Sequence, residues 1–231
     1  SFMQYTRDRL RSMIGPLKGL LLRCAATCLI AFTFSIPAGE PAQRVQTPEL
    51  ALVSPRSEQA IGGAEFAHST SQMPGGQRQA LALDELRRGN IPDFLRRLQP
   101  VEVQHVKAGD TLRAVLWVTP DYLAIGSDSD FLRIPLTYPS AVAIASEFGC
   151  LLPTRKIVDA IYAQATVHLA PIPMTPGARM RSSEYYLKHQ RMIQEQLGGR
   201  QPDSLVAGDK KDVVISNRLH RKQGRIAIYG W

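Results

Sequence analysis

Apolar residues recur at helical spacing through 139–165. Pro139 suits the first turn of a helix, Ala141, Ile144, Ala145 and Phe148 follow on one side, and Gly149 ends the run. After the apolar link Cys150-Leu151-Leu152, Pro153 restarts the chain. Thr154 reads as an N-cap whose hydroxyl accepts from a free backbone N–H. Ile157, Val158, Ile161, Tyr162 and Ala165 then line one face of a second helix. The pattern predicts a central helix pair joined at a sharp corner.

Upstream, Leu81, Leu83 and Leu86 predict a helix that starts near Gln79 and closes at Gly89-Asn90. Pro92 opens a short one holding Phe94, Leu95 and Leu98. The period changes to two at Val101, Val103 and His105, and Ala108-Gly109-Asp110 turns the chain into 111–119, rich in β-branched and aromatic residues. Pro120-Asp121 and Ser127 to Asp130 are the next turns, leading to strands at 122–126 and 131–137. Such short connections predict antiparallel neighbours, so 101–137 reads as a four-stranded meander, with Pro135 on an edge or bulge. Downstream, 182–197 reads as a polar helix capped by Ser182 or Ser183 and stopped by Gly198-Gly199, with Tyr186, His189, Ile193 and Leu197 as its apolar stripe. Strands at 212–216 and 225–231 predict a hairpin with a basic tip, NRLHRKQG. The fold class is therefore α+β. The chain stops at Trp231, at the edge of an apolar strand, and reads as truncated there.

Charge changes the picture at the two ends. Residues 1–38 hold five of the 28 Lys and Arg and one of the 20 Asp and Glu; residues 175–231 hold eleven basic and five acidic groups; the stretch between is slightly acidic. Arg7, Arg9, Arg11, Lys18 and Arg23 precede the uncharged run Cys24 to Ile36, and Pro37, Ala38 and Gly39 follow. That order predicts a signal peptide over 1–38, cleaved near Ala38. The competing reading, an uncleaved anchor from Leu20, needs about 20 apolar residues in a row. Residues 39–78, rich in Pro, Ser, Gln and Gly, predict a disordered linker, and 79–231 the folded domain. Cys24 and Cys28 would leave with the signal, so Cys150 has no internal disulfide partner.

Motifs of established chemistry are scarce. The five histidines show no metal-ligand spacing, and no P-loop, nucleophile elbow or dinucleotide fingerprint appears, so neither metal nor cofactor is expected. Cys150, flanked by Phe148, Gly149, Leu151 and Leu152, reads as a core residue rather than a nucleophile. Asp128 and Asp130 suit Asx-type turns better than a calcium loop. Arg87, Arg88, Arg96 and Arg97 read as a solvated face. The candidate ligand site is the basic end: Asp209, Lys210, Lys211 and Asp212 in GDKKD, with Arg218 and Arg221, and Lys222 and Arg225 as neighbours. The competing reading of GDKKD is an ion-paired turn. A basic face of this kind suits an anionic cell-envelope polymer. Export and the lack of basic-aromatic interleaving argue against nucleic acid, and membrane contact is expected only through the N-terminal signal.

Two stretches, LPTRKIVDAIYAQA at 152–165 and GDKKDVVISNRL…GRIAIYGW at 208–231, resemble a group of exported bacterial proteins of unknown function, over residue 88 to the end. In that group a His usually precedes the Lys-Lys-Asp; here Asp209 stands there. The run AIASEFGCLLPTRKIVDAIYAQA is similar to the helix–Gly–Leu-Pro-Thr–helix element of the formylglycine-generating enzyme family, whose fold is C-type-lectin-like, but lacks the Glu and Trp that usually follow. Two functions stay open: an envelope-associated hydrolase, or a non-catalytic envelope-binding or interaction module with a basic face.

Overall fold

The computed structural model describes residues 3–4, 48–200, 204–209 and 211–231. Its strands are β1 (Met3–Gln4), β2 (Gln99–Lys107), β3 (Asp110–Val118), β4 (Ala124–Gly126) and β5 (Phe131–Arg133). Then come β6 (Cys150–Leu151), β7 (Val167–His168), β8 (Val206–Ala207), β9 (Asp212–Val214) and β10 (Ala227–Tyr229). The helices are α1 (Gly63–Ser69), α2 (Gly75–Arg87), α3 (Tyr138–Glu147), α4 (Arg155–Gln164) and α5 (Ser183–Leu197). This is the α+β class expected.

The expected linker is corrected over 48–78. Leu50, Val53, Phe66 and Ala67 belong to the main core, with Leu86, Phe94, Ile125, Leu132 and Ile144. Phe66 is 1% exposed, and burying a phenylalanine stabilises by about 1.5–3 kcal/mol. Average composition concealed this because a few large side chains supply the apolar contact. Arginines tie down the polar backbone around them. Arg78, buried, donates to the carbonyls of Thr70, Met73 and Arg181. Arg96 donates to those of Val53, Ser54 and Gly89, so it is a clamp and not part of a solvated face. Arg87 and Arg88 do stay at the surface, paired with Glu147 and Glu85. Residues 39–47 and, apart from β1, the signal expected over 1–38 lie outside the described residues.

The meander is also corrected. β2 and β3 form a hairpin, paired from Gln99↔Val118 to Lys107↔Asp110. β3 then pairs with β1, not β4, in a sheet of order β2-β3-β1-β6, and β4 pairs only with β5. The chain leaves β3 at Thr119–Leu123 because that segment has other partners. Pro120 offers its carbonyl to the Val206 N–H at 2.8 Å, and the Asp121 carboxylate is held by Arg133. β5 ends before Pro135, which has no N–H to continue a ladder.

The central helix pair forms as expected. Gly149, at φ +66°, takes the left-handed turn after α3. Thr154 precedes α4 in extended backbone, but its hydroxyl makes no capping bond. α4 packs Ile161 and Ala165 on Val101 and Val118. At its end the Gln164 carboxamide covers the outer edge of β2: Nε2 donates to the Glu102 carbonyl and Oε1 accepts from the Glu102 N–H, both at 2.9 Å. α5 is capped by Ser182, whose hydroxyl accepts from the Tyr185 N–H at 3.2 Å. Its Ile193 and Leu197 pack on Val167, Leu169 and Val206. This last contact seats the short parallel pair β7–β8, which the sequence pattern did not announce. β8 then delivers the chain to Gly208 and the acidic residues beyond.

Candidate functional site

Asp209 and Asp212 turn inward, at 8% and 7% exposure. The turn that aims them rests on Gly208, at φ +105°, where a Cβ would come within 2.3 Å of the Leu169 carbonyl oxygen. Lys210 lies outside the described residues, and Lys211 is exposed. Asp212 opens β9, where it pairs with Tyr229, while Val214 pairs with Ala227 at the other end. The connecting loop carries Arg218, Arg221, Lys222 and Arg225, all exposed. Asp212 and the basic loop therefore stand at opposite ends of the β9–β10 ladder. The described candidates, Asp209, Lys211, Asp212, Arg218 and Arg221, do not converge as one patch.

What Asp212 does meet is a cleft of about 400 Å³. Its polar lining comprises Tyr122, Arg133, Gln190 and Asp212, together with His189 and Lys211. The Tyr122 hydroxyl donates to Asp212 Oδ2 at 3.4 Å. Burial, with the Asp212, Asp209 and Asp121 carboxylates around it, pushes the phenol far above its ordinary range. Tyr122 is thus kept protonated as a hydrogen-bond donor. Behind the same two side chains, a void of about 10 Å³ reaches Tyr162 and Trp231; it is at the lower limit for one water.

Asp121 and Arg133 support this polar lining. Each side chain is 1% exposed. Arg133 Nε lies 3.1 Å from both Asp121 oxygens, and Nη2 also donates to Oδ2. Its Nη1 and backbone N–H both donate to Gln190 Oε1, at 3.1 and 3.3 Å. The planar guanidinium suits this two-sided hold, fixing β5 to α5 across the floor.

The rest of the lining is largely apolar. Ile172, Met174 and Met180 come from the Pro-rich segment between β7 and α5, Tyr185 and Tyr186 from α5, and Leu136 from the loop between β5 and α3. The segment is fastened by the Tyr185 hydroxyl on the Thr175 carbonyl and by the Gln196 carboxamide, which bonds both backbone groups of Ala170.

Other sequence candidates lie elsewhere. Asp130 accepts from the Ala64 N–H at the start of α1, and Asp128 from the Phe94 N–H, so both tie loops to helix starts. Cys150 is buried, its thiol pushed up to about 12 by desolvation, and it does not line the cleft. His168 packs edge-on against Tyr162. Among the described residues no group of three or more His, Cys, Asp or Glu is placed to hold a metal ion. The residues missed by sequence reading are Asp121, Tyr122, Arg133, His189 and Gln190. One signal was present: Arg133 sits inside FLRIPL, and a charge within a short apolar run implies a buried partner. No family model, no curated protein and no solved structure matches the chain.

Proposed function

We propose that this chain is an exported, envelope-associated hydrolase whose reaction centre is the Tyr122–Asp212 end of the cleft. The observation that carries the reading is the burial of Asp212, hydrogen-bonded to Tyr122, in the lining of a largely apolar cleft. Taking carboxylates out of water is costly, and a wall that only held an apolar ligand would gain nothing from it. Such costs recur where a group has chemistry to do. In this reading Asp212 takes a proton from water as the water oxygen attacks the substrate's electrophilic atom. The proton then passes to the leaving group as its bond breaks. Tyr122, held protonated, orients Asp212 by hydrogen bonding and ferries no proton. Export rests on the basic-then-apolar N-terminus and on the two stretches that resemble exported bacterial proteins.

Mass spectrometry of soluble products released from bacterial envelope extracts tests the centre. Asp212→Asn should slow release more than 100-fold while melting within a few degrees of wild type. Release at the wild-type rate would remove Asp212 from the reaction.

A second reading has its own observation. Arg218, Arg221, Lys222 and Arg225 are all exposed on one loop, as a module that binds anionic envelope polymer would require. Binding through that loop should weaken with salt, because the screening length falls from about 10 Å at 0.1 M to about 3 Å at 1 M. It should also weaken more for Arg218→Ala/Arg221→Ala than for Arg87→Ala/Arg88→Ala. Equal losses would mean unspecific attraction.

A further inference from the structure

We infer that the ligand of this cleft has an aliphatic, acyl-like body, with its polar end directed to Tyr122 and Asp212. The inference rests on the cleft being the working site and goes further by naming the ligand class.

Three observations lead there. The first is how the lining is divided. Ile172, Met174, Met180 and Leu136 line the cleft with apolar side chains, whereas its hydrogen-bonding lining is joined in pairs, Tyr122 with Asp212 and Arg133 with Gln190. The first set suits a body that makes no hydrogen bonds and the second a head that does. The second is that several polar side chains of the lining are already engaged. The Tyr185 hydroxyl is spent on the Thr175 carbonyl, Arg133 on Asp121 and Gln190, and the Gln190 carbonyl on Arg133. A sugar carries a hydroxyl on nearly every ring carbon, and each one buried needs a partner. Beyond the Tyr122–Asp212 pair the lining offers few such partners, so a sugar as the body fits badly. The third is the kind of apolar residue present. Thioether side chains are unbranched and mould themselves to a flexible chain. Ile172 and Met180 remain 39% and 48% exposed at the mouth, where a chain entering the cleft would cover them. The segment that carries them is pinned near both ends, by Gln196 on Ala170 and by Arg78 on the Arg181 carbonyl, so the wall stands ready before any ligand arrives.

Calorimetric titration of the full chain with decyl maltoside below its micelle concentration, and with maltose, tests this. Decyl maltoside should bind with a negative heat-capacity change, the mark of buried apolar surface, and maltose should not bind. Met174→Glu and Met180→Glu, both on the surface segment, should each weaken binding at least tenfold without lowering the melting temperature. Maltose binding as well as decyl maltoside, or decyl maltoside binding equally to wild type and both variants, would overturn the inference. Failure of decyl maltoside to bind, with product release still lost in Asp212→Asn, would sink the acyl body and leave the hydrolase reading standing. Acyl binding with Asp212→Asn fully active would do the reverse.

Discussion

At the scale of single residues, Asp121 and Arg133 show why a buried charge needs its partner. Both are out of water, and each satisfies the other with several hydrogen bonds. Removing one partner from such a pair leaves the other charge desolvated and costs about 3–5 kcal/mol. Asp121→Ala should therefore lose about that much in urea unfolding, and Asp121→Ala/Arg133→Met less than the single change. A double variant weaker than the single would mean the pair is not acting as a unit. Cys150 makes a different residue-level prediction. Its ordinary value is 9.0, and burial pushes the thiol up to about 12. The unfolded chain thus gives up this proton first. The contribution of Cys150 to stability is intact below pH 9 and is lost as the pH rises towards 12. Iodoacetamide should leave Cys150 unmodified in the native protein at neutral pH and alkylate it in concentrated urea. Native alkylation would put the thiol in contact with solvent.

Among the elements, Gly208 links backbone geometry to the cleft. A Cβ there meets the Leu169 carbonyl, and its φ lies in the left-handed region. Gly208→Ala should destabilise by more than about 1 kcal/mol, since alanine pays for both the angle and the clash. It should also shift Asp209 and Asp212 enough to lower any Asp212-dependent activity; an unchanged melting curve would count against the turn. Elements with strong local signals were legible in the sequence. The α3–corner–α4 pair, the β2–β3 hairpin, α5 with its serine cap and the β9–β10 hairpin all follow from periodicity, turn residues and capping. What escaped depends on distant partners. The β3–β4 break hangs on Pro120 meeting Val206, and α1 on an aspartate 66 positions away. For the candidate site, Lys211 and Asp212 were in view from the GDKKD spacing. Tyr122, His189 and Gln190 were not, because their place in the cleft arises only when β5, α5 and β9 come together.

For the whole molecule, the two ends differ in what they contribute. Cleavage near Ala38 would take β1 out of its sheet, while Leu50, Val53, Phe66 and the rest of the main core would stay with the mature chain. Residues 39–231 should therefore unfold in a single urea transition, seen alike by circular dichroism and tryptophan fluorescence. Two separated transitions would show that the sheet depends on β1. The Gln164 side chain bears on how molecules behave in company. By giving Glu102 one donor and one acceptor, it occupies the stretch of strand edge that another chain would use to lengthen the sheet. An intruding strand must first evict a carboxamide tethered to its own helix. Without that tenant, as in Gln164→Ala, solutions should turn turbid sooner on warming than wild type at the same concentration, at a temperature where both remain folded. A glutamine chosen for neither core nor cleft would then be what keeps the protein in solution.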